Sequence, residues 1–567
     1  MNRRSFFFSL TAGGAALGLP GEARAAQSEL SSAEAGQELA AEVVVIGAGL
    51  GGCAAALGAL RNGLRVILTE ETDWIGGQLT SQAVPPDEHR WIETHGCTAA
   101  YRALRDGIRD YYRRHYPLTE AARANANLNP GNAMVSRICH EPRVALAVLE
   151  SMLAPYLSQG KLTLLLEHKA VSADLADDSV RAIKVHDRRS NRERVLAAPC
   201  FIDATELGDL LPLTKTEFVT GAESRSQTGE LHAAEQADPA NQQAFTMCFA
   251  VDHDPRAEHV IDRPREYDFW RNFVPKLNPP WPGKLLDLTY THPQTLQPRA
   301  LGFSPAGETK GALNLWRYRR LIAVENFAPG SYAGDICLIN WPQNDYFLGN
   351  LAGVSEDEQA RHIERGRQLS LSLLYWLQTE VPRPDGKQGW PGLRLRGDLL
   401  GSSSGVAKYP YVREARRILA EFTILEEHVG TTQRAQVTGK PENEVSAADF
   451  PDTVGIGSYA IDLHPTTTGD NYIDFGTKPF QIPLGSLLPR RVDNLLAANK
   501  NIGTTHVTNG CYRLHPVEWN IGESAGLLAA FAQRKKTIPR AIRAKPELLA
   551  GFQDWIRSQG VETHWPA

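Results

Sequence analysis

The strongest constraint on the fold is a short apolar run that leads directly into a glycine-rich turn. The run Val43–Ile46 is apolar and β-branched, as expected for a strand that is buried on both faces. Gly47, Gly49 and Gly52 follow with the spacing G-x-G-x-x-G. Small residues then continue at helical density into a second apolar run, which ends at Glu70. This order of strand, glycine turn, helix, strand and acid predicts a dinucleotide-binding unit.

Each position has a physical role in that prediction. Gly47 permits the tight turn, Gly49 lacks a Cβ so that a pyrophosphate can approach the backbone, and Gly52 lets the helix pack closely on the strand. The free N–H groups and the positive dipole end of the helix would face the phosphates. Glu70 can accept both hydrogen bonds of a ribose diol, whereas a glycine helix that only packs on a sheet leaves it without a role. The neighbouring positions included in the predicted site are Ala48, Leu50 and Glu71.

Composition places the chain among ordinary globular proteins and excludes several classes of partner. Its 567 residues suffice for two or three domains. The net charge of −5 gives no reason to expect nucleic acid as a partner. The seven cysteines contain no C-x-x-C pair, so neither a metal site nor a disulfide framework is predicted.

The first 26 residues have the features of an export signal. Arg3 and Arg4 are twin arginines, a mildly apolar run follows, and Ala23-Arg24-Ala25 fits an A-x-A cleavage site. We therefore expect export by the twin-arginine (Tat) machinery to the periplasm or the medium, with an accidental arginine pair as the alternative. Residues 27–39 are expected to be a linker. The run is too short to span a bilayer comfortably and no other stretch approaches that length, so no membrane span is expected.

The rest of the chain alternates between two kinds of sequence, one typical of a cofactor-binding domain and one that is not. Residues 40–115, 140–220 and 450–540 are predicted to form a discontinuous cofactor-binding domain. Residues 221–449 are rich in proline, tryptophan and tyrosine without a βαβ rhythm, and are predicted to form a mixed α+β substrate or cap domain. Residues 541–567 are expected to be a C-terminal tail.

Taken together, these segments resemble the FAD-dependent oxidoreductase family of the glutathione-reductase-type flavoprotein superfamily. Four segments carry the resemblance: 43–70, the double-glycine stretch 75–80, the strand and turn 201–205, and the closing segment 494–526. It implies an α/β fold with a Rossmann-like FAD-binding domain of three layers (ββα) and FAD as cofactor. Two positions depart from the family pattern, because Glu206 stands where glycine is usual and Gln78 where arginine is frequent.

The resemblance also implies roles for further residues. Gly47, Gly49 and Gly52 would face the pyrophosphate, and Glu70 would bind the adenosine ribose. Val171 or its neighbour would contact the adenine through the backbone. The remaining implied FAD contacts are Gly76, Gly77, Gln78, Thr80, Ala204, Thr205, Asn499, Gly503, Gly522 and Glu523.

Candidate catalytic residues lie in the closing segment. His515 and His506 are candidate bases because histidine titrates near neutral pH, and Glu518 is a further candidate in the same segment. Arg513 could clamp a carboxylate substrate or stabilise reduced flavin. The alternative is that His515 only packs before Pro516 and that Arg513 only pairs with Glu518. Arg413 and Arg416 could serve an anionic substrate or form a salt-bridge network.

The expected reaction is a two-electron dehydrogenation of a small polar molecule at a C–OH or C–N centre. Dioxygen or a periplasmic carrier would accept the electrons. One alternative is a flavin-dependent C=C reductase or desaturase, and another is a non-catalytic extracytoplasmic flavoprotein that binds a ligand. A pyridine-nucleotide disulfide reductase is not expected, because neither a second glycine motif nor a redox C-x-x-C is present.

Overall fold

A five-stranded sheet forms the centre of the computed structural model, which describes residues 38–307, 309 and 311–566. All neighbouring strands are parallel, and their spatial order is Leu495–Ala497, Cys200–Asp203, Val43–Ile46, Val66–Glu70 and Leu162–Leu166. Val43–Ile46 lies in the middle and is buried along its whole length. The parallel sheet is that of a Rossmann-like FAD-binding fold, as the first apolar run predicts.

Two helices pack against each other beside this sheet: the glycine helix (Leu50–Arg61) and the closing helix (His515–Lys535). Their backbones approach so closely that a Cβ at Gly522 would lie 2.0 Å from the carbonyl oxygen of Gly51. A Cβ at Gly526 would likewise lie 2.0 Å from that of Ala55. The small residues therefore bring two segments that are more than 450 positions apart in the chain into direct backbone contact.

A second sheet of four strands lies in the same domain. Its order is Glu38–Ala40, Arg192–Ala197, Ser179–Asp187 and His168–Ala176. The first strand pairs in parallel with the second, Leu39 opposite Leu196. Residues 38 and 39, which the sequence suggested as linker, are thus part of a sheet because they continue its hydrogen-bond ladder. The predicted signal of 1–26 lies outside the described residues.

A third sheet separates two hydrophobic cores. It consists of Arg320–Ile322, Ile336–Ile339, Phe249–His253 and Leu393–Leu395, with every neighbouring pair antiparallel. Because side chains alternate along a strand, Ala250 joins the core of the FAD-binding domain while Phe249 and Val251 join the second core. The long helix Glu356–Thr379 covers the second face.

The C-terminal residues are structured. Pro546–Ser558 is a helix whose Phe552 and Ile556 are buried in the first core, so the segment expected as a tail belongs to the packed domain.

The other helices are Ala99–His115, Glu120–Ala124, Pro142–Ser158, Leu210–Leu213, Arg225–Thr228, Tyr267–Asn272, Leu315–Tyr318, Gly397–Leu400, Glu426–Val429, Thr431–Thr438, His506–Tyr512 and Pro539–Ala544. The other strands are Phe218–Val219, Phe245–Thr246, Thr289–Thr291, Pro298–Gly302, Leu313–Asn314, Asp345–Tyr346, Arg417–Ile418, Thr453–Gly457, Ile461–Leu463, Ile473–Phe475 and Phe480–Pro483. Among the helices that the structure describes, none has the length and apolarity needed to cross a bilayer.

The helix contact can be tested with two helical glycines. Gly526→Ala should lower the free energy of unfolding by about 3 kcal/mol, because the new methyl would overlap the backbone of the glycine helix. Gly551→Ala is the matched control, since its Cβ would meet only Phe531, at 3.8 Å. Gly551→Ala should raise the free energy of unfolding by no more than about 1 kcal/mol, because alanine is the better helix former. Chemical denaturation measures both, and equal stabilities of the two variants would contradict the close contact.

Candidate functional site

The first cavity lies at the carboxyl ends of the parallel strands, where open α/β sheets bind their ligands. Its lining comes from six separate segments. The lining residues are Ile46, Gly47, Gly49, Thr69, Glu70, Glu71, Gly77, Ser81, His168, Lys169, Ala170, Ala204, Thr205, Glu206, Asp209 and Tyr409. The structure therefore brings together the glycine turn, the acidic strand end, the double-glycine segment and the 201–205 strand, as the sequence predicts for one dinucleotide.

The glycine turn approaches its neighbours closely. Gly47 has a φ of +92°, and a Cβ there would lie 2.4 Å from the carbonyl oxygen of Ala204. Gly49 has an ordinary φ of −61°. A Cβ at Gly49 or at Gly77 would meet the same atom, Glu206 Oε1, at 2.8 and 2.7 Å. The Glu206 carboxylate thus lies between the two glycines, and only about 40 Å³ of the first cavity remains open.

Two carboxylates, the fully buried Glu518 and the partly buried Glu206, lie at the N-terminal end of the glycine helix. Glu518 Oε1 accepts a hydrogen bond from the main-chain N–H of Gly51 at 3.1 Å. Lys500 Nζ donates to Glu206 and lies 3.9 Å from Glu518 Oε2. Burial raises the pKa of Glu518, an effect that Lys500 opposes. Anionic oxygens are therefore concentrated where the helix dipole and free N–H groups favour negative charge.

These residues fit FAD once the Glu206 side chain turns aside. Glu206 Oε1, Gln78 Oε1 and both amide atoms of Gln82 are buried without a hydrogen-bond partner. Buried polar atoms normally have hydrogen-bond partners. The partners missing from this cluster are therefore expected to come from a bound ligand. The glycines leave a cradle without Cβ atoms, and a pyrophosphate would satisfy the donors there.

The carboxylate at the acidic strand end is fixed by three hydrogen bonds. Glu70 accepts hydrogen bonds from the main-chain N–H groups of Ala48 (3.0 Å) and Thr72 (2.9 Å) and from the Thr72 hydroxyl (2.8 Å). Burial raises the pKa of Glu70 to about 7, although these hydrogen bonds oppose the shift. Val171 is 38% exposed and lies outside the cavity lining, whereas its neighbour Ala170 belongs to it.

Several predicted cofactor residues act through packing or through their neighbours. Gly52 permits the close approach of helix and strand, because a Cβ would lie 1.9 Å from the carbonyl oxygen of Gly47. Leu50 is fully buried in the core. Gly76 and Thr80 pack against each other, and the Thr80 hydroxyl donates to the carbonyl of Ile75. Asn499 Nδ2 donates to the carbonyl of Ala204 at 3.2 Å, which fixes the strand end.

Three predicted flavin contacts point elsewhere. Gly503 faces Ala420 and Phe422, and Gly522 faces the backbone of Gly51. Glu523 pairs with Arg61 and accepts from Trp519 Nε1 at 3.0 Å. These residues hold elements together, and none of them lines the first cavity.

The two predicted histidine bases are tied into the structure. His515 is fully buried, with Nδ1 accepting from the N–H of Asp87 at 3.1 Å and Nε2 bonded to the carbonyl of Val84 at 3.2 Å. Burial lowers the pKa of His515 to about 3. His506 pairs with Glu414 at 3.0 Å. Neither histidine lines the first or the second cavity, which argues against both as bases. The sequence favoured them because it does not reveal their internal partners.

A second cavity of about 380 Å³ lies between the FAD-binding domain and the second core, within the range of ligand pockets. It contains Arg513, the third predicted catalytic residue. The lining residues are Asp87, Glu88, Val135, Tyr290, Pro293, Gln294, Leu301, Leu313, Leu315, Tyr318, Arg319, Asn340, Trp341, Pro342, Tyr411, Arg413, Tyr459, Ala460, Asp462, His464, Tyr472, Asp474 and Arg513.

A histidine flanked by two carboxylates faces this second cavity. His464 Nδ1 lies 2.6 Å from Asp345 Oδ2, and Nε2 lies 3.6 Å from Asp462 Oδ2. Asp345 is buried, and although burial raises its pKa, Arg413 at 3.0 Å and His464 hold the pKa below its usual value. This array is not among the sites predicted from the sequence. Its signal was Asp462-Leu463-His464 at the end of a short strand, because alternation points Asp462 and His464 to one side.

Gln78 lines neither cavity, but it links residues that belong to the two sides. Its Nε2 donates to Glu518 and, at 3.0 Å, to the carbonyl of Arg513, whose side chain lines the second cavity. On the other side, Tyr409 lines the first cavity and Tyr411 the second. The part of the chain that the structure describes contains no group of three or more acidic, histidine or cysteine side chains suited to a metal.

Several solved structures are similar to this chain at low sequence identity. L-Proline dehydrogenase from P. horikoshii is 16% identical over 33% of this chain and 25% of its own, with a TM-score of 0.16. A geranylgeranyl bacteriochlorophyll reductase-like protein from Thermoplasma acidophilum is 10% identical over 93% and 85%, with a TM-score of 0.30. Glycerol-3-phosphate dehydrogenase from Bacillus halodurans, complexed with FAD, is 13% identical over 40% and 42%, with a TM-score of 0.24. The chain thus spans about a quarter of the length of the first of these, and no curated protein matches it.

The family comparison covers most of the chain. Residues 42–554 match the family model described as FAD dependent oxidoreductase. The match includes both helices, all five strands of the parallel sheet and every residue that lines the two cavities. The chain therefore belongs to the FAD-dependent oxidoreductase family, and its cofactor is FAD.

Proposed function

We propose that this oxidoreductase dehydrogenates a small polar molecule at a C–OH or C–N centre, with the substrate in the second cavity. The observation that carries the proposal is His464, held between Asp345 and Asp462. When bound, FAD supplies a two-electron acceptor for the hydrogen that leaves the substrate carbon with its electron pair. Dioxygen or a periplasmic carrier then takes the electrons.

His464 is suited to remove the other proton. With Nδ1–H donated to Asp345, the Nε2 lone pair is available to accept the proton of a substrate hydroxyl or ammonium group. The imidazolium that forms then lies beside two carboxylates, which stabilise its charge. Asp345 stays ionised because Arg413 and the Thr246 hydroxyl (2.6 Å) hold it.

The position of the second cavity supports the same reaction. Gln78 lies between the residues that would hold the pyrophosphate and Arg513 of the second cavity. Arg513 and Tyr411, which line the second cavity, would hold the flavin end of FAD on this side. The ββα arrangement of the domain supports membership in the glutathione-reductase-type superfamily, which we also propose.

Replacement of His464 tests the proposed base. In His464→Gln, anaerobic bleaching of the flavin absorption by substrate should slow by about 10²-fold or more, while FAD content is unchanged. His232→Gln is the matched control, because His232 also pairs with a carboxylate, Glu426 at 2.8 Å, but lies outside both cavities.

The control should bleach at the wild-type rate. Equal rates in wild type and His464→Gln would contradict the role of His464. If no alcohol or amine bleached the flavin while C=C compounds reoxidised the reduced protein, the reductase alternative would replace this proposal.

Gly49→Ala tests the pyrophosphate site. The backbone tolerates alanine at a φ of −61°, and the new methyl would press only on the flexible end of Glu206. The apoprotein should fold normally, whereas the affinity for FAD should fall by about tenfold or more, which corresponds to about 1.4 kcal/mol. Titration of apoprotein with FAD measures the change. An unchanged dissociation constant would place the pyrophosphate elsewhere.

We further propose that the chain is exported by the twin-arginine route. The support is the arginine pair at positions 3 and 4 together with the A-x-A sequence at 23–25. Replacement of Arg3 and Arg4 by lysine should retain the FAD-loaded protein in the cytoplasm. Arg24→Lys in the same segment is the matched control and should be exported. Cell fractionation distinguishes them, and export of the double-lysine variant would contradict the proposal.

A further inference from the structure

We infer that the second cavity binds a neutral polyhydroxylated ring, a monosaccharide or a cyclic polyol. The inference rests on the proposed function, because it names the substrate class of the same cavity. Three independent observations carry it: how the charges are paired, which buried polar atoms lack partners, and what covers the walls.

The charges in the second cavity are already paired. Arg319 makes a two-pronged pair with Asp87, at 2.9 and 3.2 Å. Arg413 lies 3.0 Å from Asp345, and Arg513 lies 3.3 Å from Asp462. Each guanidinium group therefore has its own carboxylate.

Of the two remaining acids that line the cavity, Glu88 pairs with Arg105 at 2.8 Å, which leaves one acid over. Asp474 stands directly opposite Asp462 on the paired strand and has one carboxylate oxygen without a partner. An anionic substrate would bring an additional negative charge close to this unpaired acid. Such a charge is costly in a partly buried site, so acids and phosphate esters are disfavoured.

The unpaired polar atoms distinguish a polyol from an amine. On lining residues within the described chain, the buried donors without a partner are Asn340 Nδ2, Trp341 Nε1 and the Nε atoms of Arg319, Arg413 and Arg513. A buried donor without a partner costs about 1–3 kcal/mol, so a ligand that offers acceptors is favoured. An ammonium group offers only donors. A hydroxyl group offers both, and it can also donate to Asp474 Oδ1 and pair with the unpartnered Tyr472 hydroxyl.

Aromatic rings supply the apolar part of the walls. Tyr290, Trp341 and Tyr472 line the cavity together with three further tyrosines. Tyr472 stands edge-on to the His464 ring, with centroids 5.4 Å apart and an angle of 66°. The C–H face of a sugar ring packs on such rings while its hydroxyl groups reach the polar atoms around them. A hydroxyl-bearing carbon of a ring held in this way lies beside the proposed base.

The charge argument is tested with sugars that share one ring. D-Glucose, D-glucosamine and D-glucuronate differ in charge, and D-galactose, D-mannose and myo-inositol extend the neutral set. Each is mixed anaerobically with the FAD-loaded protein. We expect at least one neutral compound to bleach the flavin, with a half-saturating concentration at least tenfold below those of glucosamine and glucuronate. Preference for the acid or the amine would overturn the inference and leave the proposed dehydrogenation intact.

Binding is measured separately from chemistry. The FAD-loaded His464→Gln variant should bind the same neutral compounds, observed by calorimetry, even though it turns over slowly. Failure of every neutral compound to bind it would overturn the inference. Binding to this variant together with an unbleached flavin in wild type would instead overturn the proposed function and uphold the inferred ligand class.

Asp474→Asn tests the contact that the inference assigns. The change is nearly isosteric and replaces an accepting carboxylate oxygen by an amide. We expect about tenfold weaker binding of the neutral sugar, which corresponds to about 1.4 kcal/mol. Asp554→Asn, on an exposed helix face, is the control and should bind as wild type. Equal affinities of Asp474→Asn and wild type would contradict the assigned contact.

Discussion

The contact between the glycine helix and the closing helix is the constraint on which the rest of the structure depends. Gly51 and Ala55 meet Gly522 and Gly526 through backbone atoms. A larger residue at Gly522 or Gly526 would push the two helices apart. This contact brings the end of the chain to the glycine turn. It carries Glu518 to the N-terminus of the glycine helix and Arg513 to the second cavity. Each cavity therefore depends in part on this close helix packing.

The electrostatics of the cofactor cleft follow from that packing. Lys500 is buried beside Glu206 and Glu518. Burial alone would lower the pKa of Lys500, but these two carboxylates hold that pKa above its usual value. The N-terminal end of the glycine helix thus has one buried cation and two carboxylates beside it. Glu206 Oε1 occupies the space between Gly49 and Gly77, so a pyrophosphate could enter this cradle only after the Glu206 side chain moves away. Glycine, the usual residue there, would impose no such exchange.

The sequence predicts the cofactor half of this protein well for a local reason. The strand, turn, helix and acid from Val43 to Glu70 are contiguous, and each has a physical requirement that few residue types satisfy. Residues whose roles depend on distant partners could not be predicted in the same way. Gly522 and Glu523 carry a pattern that suits a flavin contact, yet their neighbours are Gly51 and Arg61. Histidine chemistry alone favoured His515, but its environment is set by the backbone at Val84 and Asp87.

The second cavity shows what a sequence leaves hidden when a site is assembled from several segments. Asp345, Arg413 and His464 come from different parts of the chain, and the third sheet with its two covered faces determines where they meet. The hairpin of Ile461–Leu463 and Ile473–Phe475 adds Asp462 and Asp474 directly opposite each other. Like charges in that position repel and are tolerated only where other groups compensate. Arg513 and His464 compensate Asp462, which leaves Asp474 available for a ligand. The proposed chemistry and the proposed substrate class therefore depend on the same short hairpin.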